Sequence, residues 1–152
     1  MDIRLDDVRG PEIAALLQEH LRDMYRVSPP ESVHALDLES LRQPDITVWT
    51  LWDAGTLAGC GALKELDPQH GEIKSMRTAS SHRRKGVATA ALAGALDLIA
   101  GMGGGTVEGY PECADSVPAG FLFNGALSTY ERLGFTRDRM IGKHRWVVTR
   151  VV

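Results

Sequence analysis

Residues 80–92, SSHRRKGVATAAL, place three consecutive cations, Arg83, Arg84 and Lys85, directly before a glycine and a run of small and apolar residues. Residue types in that order could seat an anion. The first backbone N–H groups of a helix lack partners within the helix, and the helix dipole adds partial positive charge at the same end. Gly86 leaves the backbone open to close approach. Val87, Ala88 and Thr89 extend the row of donors, and the three cations set a local field. A solvated basic turn without a ligand is the other reading of the same residues. Neither GxxxxGKS/T nor GxGxxG is present, so the standard nucleotide-phosphate loops do not apply.

A loop of this kind functions only if a strand leads into it and a helix leads out. The alternating segment EIKSMRT, Glu72 to Thr78, supplies the strand, and a helical pattern from about Gly86 to Ala100 follows, ended by Gly103-Gly104-Gly105. Upstream, Ile3 to Leu5 reads as a short strand. Pro11 opens a helix carrying Ile13, Leu16, Leu17, Leu21 and Met24 at helical spacing, ending before Pro29-Pro30. A second helix is expected over Glu31 to Arg42, with Val33, Leu36 and Leu41 inward. Ile46 to Asp53 and Leu57 to Leu66 read as a hairpin about Ala54-Gly55. Trp49 and Trp52, at odd spacing, are expected on opposite faces. Downstream, Thr106 to Pro111 is a short strand, and Asn124 is placed to cap a helix running to Leu133, with Gly134 as its stop. FTRDR and HRWVVTRVV end the chain as two strands, with Trp146 a core or dimer contact. The order β-α-α-β-β-β-α-β-α-β-β describes an α+β, or mixed α/β, domain built on one sheet.

Bulk properties narrow the class. A chain of 152 residues suits a single domain, 1–152, and its 43% hydrophobic and 24% charged content is that of an ordinary globular protein. A net charge of −3 argues against general nucleic-acid binding. No apolar run approaches the ~20 residues of a membrane span, and the polar start MDIRLDDVRG does not read as a secretory signal. Cys60 and Cys113 lie far apart, and no cluster of metal-ligand residues is identifiable, so the expectation is no metal and a reduced, cytoplasmic setting.

RRKGVA, preceded by an extended strand, resembles the acyl-CoA-binding motif R/Q-x-x-G-x-G/A of the GNAT superfamily of N-acetyltransferases. Arg83 stands at its first position, Gly86 at the middle glycine and Ala88 at the final small residue. YERLGF, Tyr130 to Phe135, is similar to the family's later Y-x-x-x-G-F signature, and the element order matches along essentially the whole chain. SPPESVHALDLESL, GCGALKELDPQHGEIKSMRT and HRRKGVA make the first 100 or so residues resemble a bacterial subgroup acting on small molecules or amino acids. VEGYP and FNGALSTYERLGF look more like another branch, as in a mosaic or hybrid chain.

The resemblance implies a GNAT fold: a mostly antiparallel, splayed sheet of six to seven strands with about four helices. It implies acetyl-CoA as co-substrate, with pyrophosphate on the backbone from Arg84 to Ala88. The pantetheine arm would run along Met76, Arg77 and Thr78. The reaction is direct attack of an amine on the thioester within a ternary complex. The attacking amine must give up a proton, and a backbone N–H near Met76 is the expected oxyanion donor. Tyr130 is the candidate acid for the leaving thiol, against a plain packing role with Leu127 and Leu133. Glu72 is the candidate base, against an exposed strand-edge carboxylate. Glu108 lies on the next strand, on the face opposite Val107, and one of the two carboxylates is expected to face the substrate slot. Tyr25 and His34 fall where the early helices shape an acceptor pocket. His20 and His70 read as surface residues, and His82 as added charge beside the loop. The acceptor is expected to be a small-molecule amine. Rival readings are a protein Lys or N-terminal acetyltransferase and a non-catalytic acyl-CoA-binding module. A homodimer through an exposed last strand is a further expectation by analogy.

Overall fold

A computed structural model describes residues 1–27, 38–111, 126–142 and 145–152. The elements are β1 (Asp2–Asp6), α1 (Pro11–Val27), α2 (Leu38–Leu41), β2 (Ile46–Asp53), β3 (Thr56–Asp67) and β4 (His70–Thr78). A 3-10 turn at Ser80–His82 follows, then α3 (Val87–Gly101), β5 (Thr106–Gly109), α4 (Leu127–Arg132), β6 (Thr136–Ile141) and β7 (Arg145–Val151). The seven strands form one sheet in the order β1-β2-β3-β4-β5-β7-β6. All neighbours are antiparallel except β4 and β5. This is the α+β fold expected of the sequence. Of the predicted second helix, only α2 lies within the described residues, with Leu41 2% exposed. Val33, Leu36, Cys113 and Asn124 lie outside them.

Alternation along the strands builds two cores, one on each face. Trp49, Leu51, Ile73, Met76, Val107 and Val148 join Val87, Leu92 and Leu96 of α3 and Leu127 and Tyr130 of α4. On the other face Val48, Cys60 and Ala62 pack against Ile13, Leu16 and Leu17 of α1 and Leu41 of α2. Trp52 packs with this second set and Trp49 with the first, on opposite sides as their spacing predicts. Trp146 is half-buried against the first core, under the Arg137 guanidinium 5.0 Å from its ring. The last strand, β7, runs between β5 and β6 and is no edge. The edge strands are β1 and β6, and all six residues of β6 are exposed. The final strand, paired on both sides, therefore offers no free edge of its own to a partner.

Two features of β4 position the site. Its ladder with β5 spans only His70–Thr106, Gly71–Val107 and Glu72–Glu108, after which the strands part. Further along β4, the register with β3 slips between Cys60↔Arg77 and Ala62↔Lys74, and Ser75 takes φ 53. A β-bulge of this kind re-aims the strand's side chains and backbone.

Candidate active site

The loop after β4 brings the basic cluster to the start of α3. Arg84 adopts φ 63 and Gly86 φ 78, so the chain turns sharply through left-handed conformations before the helix. Gly86 is the helix N-cap and no side chain caps it. Nothing lies within 4 Å of where a Cβ on Gly86 would stand, and Arg83, Arg84, Lys85 and Gly86 are all exposed. Val87 is buried as the helix's anchor in the core, while Ala88 and Thr89 are half-buried behind it. The arrangement leaves a row of helix-start N–H donors open to an anion amid three cations.

From this loop the other edge of β4 leads to the fork with β5. Beyond Glu72, no strand among the described residues pairs with that edge. Met76 is in the core at 8% exposure, Thr78 is half-buried, and Ser75 Oγ at the bulge is buried without a hydrogen-bond partner. An acyl-CoA fits these features: an uncapped helix start for its pyrophosphate, an open strand edge for its arm, and an unsatisfied polar atom at the bend. The Arg77 side chain turns toward α1. Its guanidinium is 2.7 Å from Glu19 and 2.6 Å from Asp23, so it clamps helix to strand and leaves only the Arg77 backbone for the strand-edge role expected of it. Hydrogen bonds from Ser80 and Arg77 hold Glu19 below the usual carboxylate range. Burial opposes ionisation of Asp23, but the Arg77 bond and charge outweigh it and lower its pKa.

On the α1 face of the fork, Glu72 and Glu108 are register partners and share one face. Glu72 is 3.3 Å from Lys74. Glu108 is buried and accepts from two sides: its Oε2 is 2.6 Å from His70 Nε2, and its Oε1 takes the Tyr110 hydroxyl. His70 is thus no mere surface residue. Its sequence signal was the two-residue step to Glu72, which puts both on one strand face. Tyr110, two residues after Glu108, carries the same signal and was missed.

On the opposite face, Tyr130 is 1% exposed and packs edge-on to Phe135 with ring centroids 5.1 Å apart. Its ring covers Gly109 so closely that a Cβ there would collide with it. Burial pushes the Tyr130 phenol up from its ordinary pKa. Tyr130 therefore packs in the core and also borders β5 at the fork. Tyr25 is 54% exposed near the end of α1, and His34 lies outside the described residues. The Cys60 thiol is pushed up to about 12 by burial, an unfavourable setting for a nucleophile.

Two other histidines correct the sequence reading. His82 is buried, with Nδ1 2.8 Å from Ser81 Oγ and Nε2 3.2 Å from Asp53 Oδ2, and so ties the start of the basic loop to the β2–β3 hairpin. His20 is 3% exposed inside α1. Both burials come from partners remote in sequence, which local pattern does not reveal.

Residues 13–135 match the acetyltransferase (GNAT) family. The chain is 47% identical over 135 residues to YsnE, an uncharacterized N-acetyltransferase of Bacillus subtilis, covering 89% of this chain and 85% of that one. It is 52% identical over 87 residues to YedL, an uncharacterized N-acetyltransferase of Escherichia coli, covering 57% of this chain and 55% of that one. In three dimensions it is similar to an aminoglycoside 6'-acetyltransferase of type Ii, with TM-score 0.74 and 18% identity over 99% of this chain and 97% of that one. An aminoglycoside 6'-N-acetyltransferase complexed with coenzyme A gives a TM-score of 0.72 at 16% identity over the same shares. The structural likenesses establish the fold, and the sequence matches go further: the chain belongs to the acetyltransferase (GNAT) family and is an N-acetyltransferase.

Proposed function

We propose that this enzyme transfers an acetyl group from acetyl-CoA to the amine of a small molecule or amino acid, by direct attack within a ternary complex. The observation that carries the reading is the β4–β5 fork, which opens at Glu72 and Glu108 and leads along a free strand edge to the uncapped start of α3. A relative named IAA acetyltransferase, from Azospirillum brasilense, is 41% identical over 61 residues, 40% of this chain and 38% of that one, and lends support to a small acceptor.

Acetyl-CoA supplies the activated thioester. The backbone from Arg84 to Ala88 holds its pyrophosphate, with Arg83, Arg84, Lys85 and Thr89 around it, and the backbone of Met76 and Thr78 holds its arm. Glu72 takes the proton that the amine releases, directly or through water. The N–H near Met76, at the bulge, donates to the carbonyl oxygen as charge develops there. Tyr130, bordering β5, donates to the leaving sulfur. Its raised pKa keeps the hydroxyl protonated at neutral pH, so it meets the sulfur as a hydrogen-bond donor. Tyr25, His34 and Glu108 belong to the acceptor side. A cytoplasmic setting and a homodimer, now through the open edge of β6, complete the proposal. No helix among the described residues is long and apolar enough to cross a membrane.

An acceptor panel tests it, with release of the free thiol as readout. The panel contains amino acids, aminoglycosides, polyamines and a Lys-containing peptide. Turnover is expected with at least one of the small amines, and Tyr130→Phe is expected to lower kcat by about 100-fold, the low end of general acid–base contributions. Turnover with the peptide alone would overturn the small-acceptor assignment. An unchanged kcat in Tyr130→Phe would overturn the role given to the phenol.

A further inference from the structure

Tyr110 follows β5 by one residue, just past the point where β5 leaves β4. Its hydroxyl donates to Glu108 Oε1, and Glu108 Oε2 is 2.6 Å from His70 Nε2. The Glu108 side chain is only 10% exposed, so these two groups, and not bulk water, satisfy it. An ionised carboxylate accepts and never donates. Two consequences follow from that single fact. His70 must present Nε2–H to Glu108, which fixes its tautomer. Tyr110 commits its one proton to Glu108, so the phenolic oxygen can only accept a hydrogen bond from anything else that approaches it.

The surroundings favour an N–H donor at that oxygen. Glu72 of β4 carries negative charge on the same face, partly balanced by Lys74 at 3.3 Å. Arg139 of β6 is the other charge felt by Tyr110. Burial, the Glu108 hydrogen bond and the charges of Glu108 and Glu72 all raise the Tyr110 pKa, so the hydroxyl keeps its proton and its direction.

We propose that Tyr110 is an acceptor-side contact that selects primary amines, accepting one amine N–H while Glu72 faces the other, with Glu108 and His70 as positioning residues behind it. The inference rests on the acetyl transfer proposed above. A neutral primary amine has one lone pair and two N–H groups. The lone pair forms the bond to the acetyl carbon as the carbon–sulfur bond breaks. One proton leaves toward Glu72, the sulfur takes one from Tyr130, and the second N–H stays on nitrogen, held by Tyr110; after the products leave, Glu72 gives its proton to solvent and solvent returns one to Tyr130, so no net proton is lost. A secondary amine has one N–H and cannot satisfy both oxygens.

The test compares an accepted primary amine with its N-methyl analogue at saturating acetyl-CoA. The wild type is expected to prefer the primary amine at least tenfold in kcat/KM. Tyr110→Phe should lower kcat/KM for the primary amine about tenfold and the analogue far less, so that the preference collapses. CoA affinity, measured by calorimetry, should stay within twofold. His70→Ala should give a smaller loss of the same kind. His70→Gln, whose amide N–H can replace Nε2–H, should restore most of it. If His70 acts through Tyr110, the Tyr110→Phe/His70→Ala double variant should be no worse than Tyr110→Phe alone. Equal losses on both amines, no loss in Tyr110→Phe, or additive effects in the double variant would each overturn the inference and leave the proposed transfer standing. A wild type that acetylates no amine would overturn the transfer and the inference together.

Discussion

At the scale of single residues, Gly86 separates charge from shape at the anion seat. Its φ of 78 is one that other residues adopt at a cost, roughly 1 kcal/mol, yet the space beyond its Cα is empty. Gly86→Ala therefore carries the backbone strain alone, while Gly86→Glu adds a negative charge at the pyrophosphate position. An acidic residue at a helix start is otherwise favourable to the helix, so the fold should survive it. Two like charges about 4 Å apart repel by roughly 1–4 kcal/mol between bulk-water and surface dielectrics. Gly86→Glu is thus expected to bind CoA at least tenfold more weakly than Gly86→Ala in calorimetric titration. Equal affinities of the two variants would count against the loop as the cofactor seat.

At the scale of elements, the fork depends on how α4 lies against β5. Tyr130 of α4 rests its ring directly on Gly109, where no side chain larger than hydrogen fits without displacing it. Gly109→Ala should cost about 1–3 kcal/mol by overpacking and should move the phenol from its place beside the fork. Chemical denaturation and kcat should therefore fall together, and a variant of normal stability and normal kcat would show that α4 can slide without consequence. The elements themselves were legible because their signals are local. Alternation placed β2 at Ile46–Asp53, and helical spacing with Pro11 placed the start of α1. The RRKGVA loop was legible for a similar reason, since its chemistry resides in backbone groups near in sequence. Pairing was not. Nothing local says that β7 inserts between β5 and β6, or that Arg77 meets Glu19 and Asp23, 58 and 54 residues away. The Glu108 cluster was half legible: the two-residue steps put His70 with Glu72 and Glu108 with Tyr110, but only the parallel register of β4 and β5 unites the two pairs.

At the scale of the whole molecule, the attachment of α1 to the sheet makes stability depend on pH. His20 is buried in α1 near Arg77 and Asp23, and burial, helped by the Arg77 charge and opposed by that of Asp23, lowers its pKa to about 4. The ordinary histidine value is near 6.5. Between these two values the unfolded chain binds a proton that the folded chain refuses. The contribution is thus full above about pH 6.5 and is lost progressively as pH falls toward 4. A shift of this size corresponds to at most about 3 kcal/mol. Below that window the lowered carboxylates Glu19 and Asp23 begin to protonate in turn and release Arg77. His20→Leu keeps an apolar side chain in the same space and cannot titrate. Urea unfolding of wild type and His20→Leu at pH 7.5, 6.5, 5.5 and 4.5 should show the wild type losing more stability than the variant as pH falls. Parallel curves across that range would show that His20 takes its proton freely in the folded protein, and that the junction of α1 with β4 is open to water.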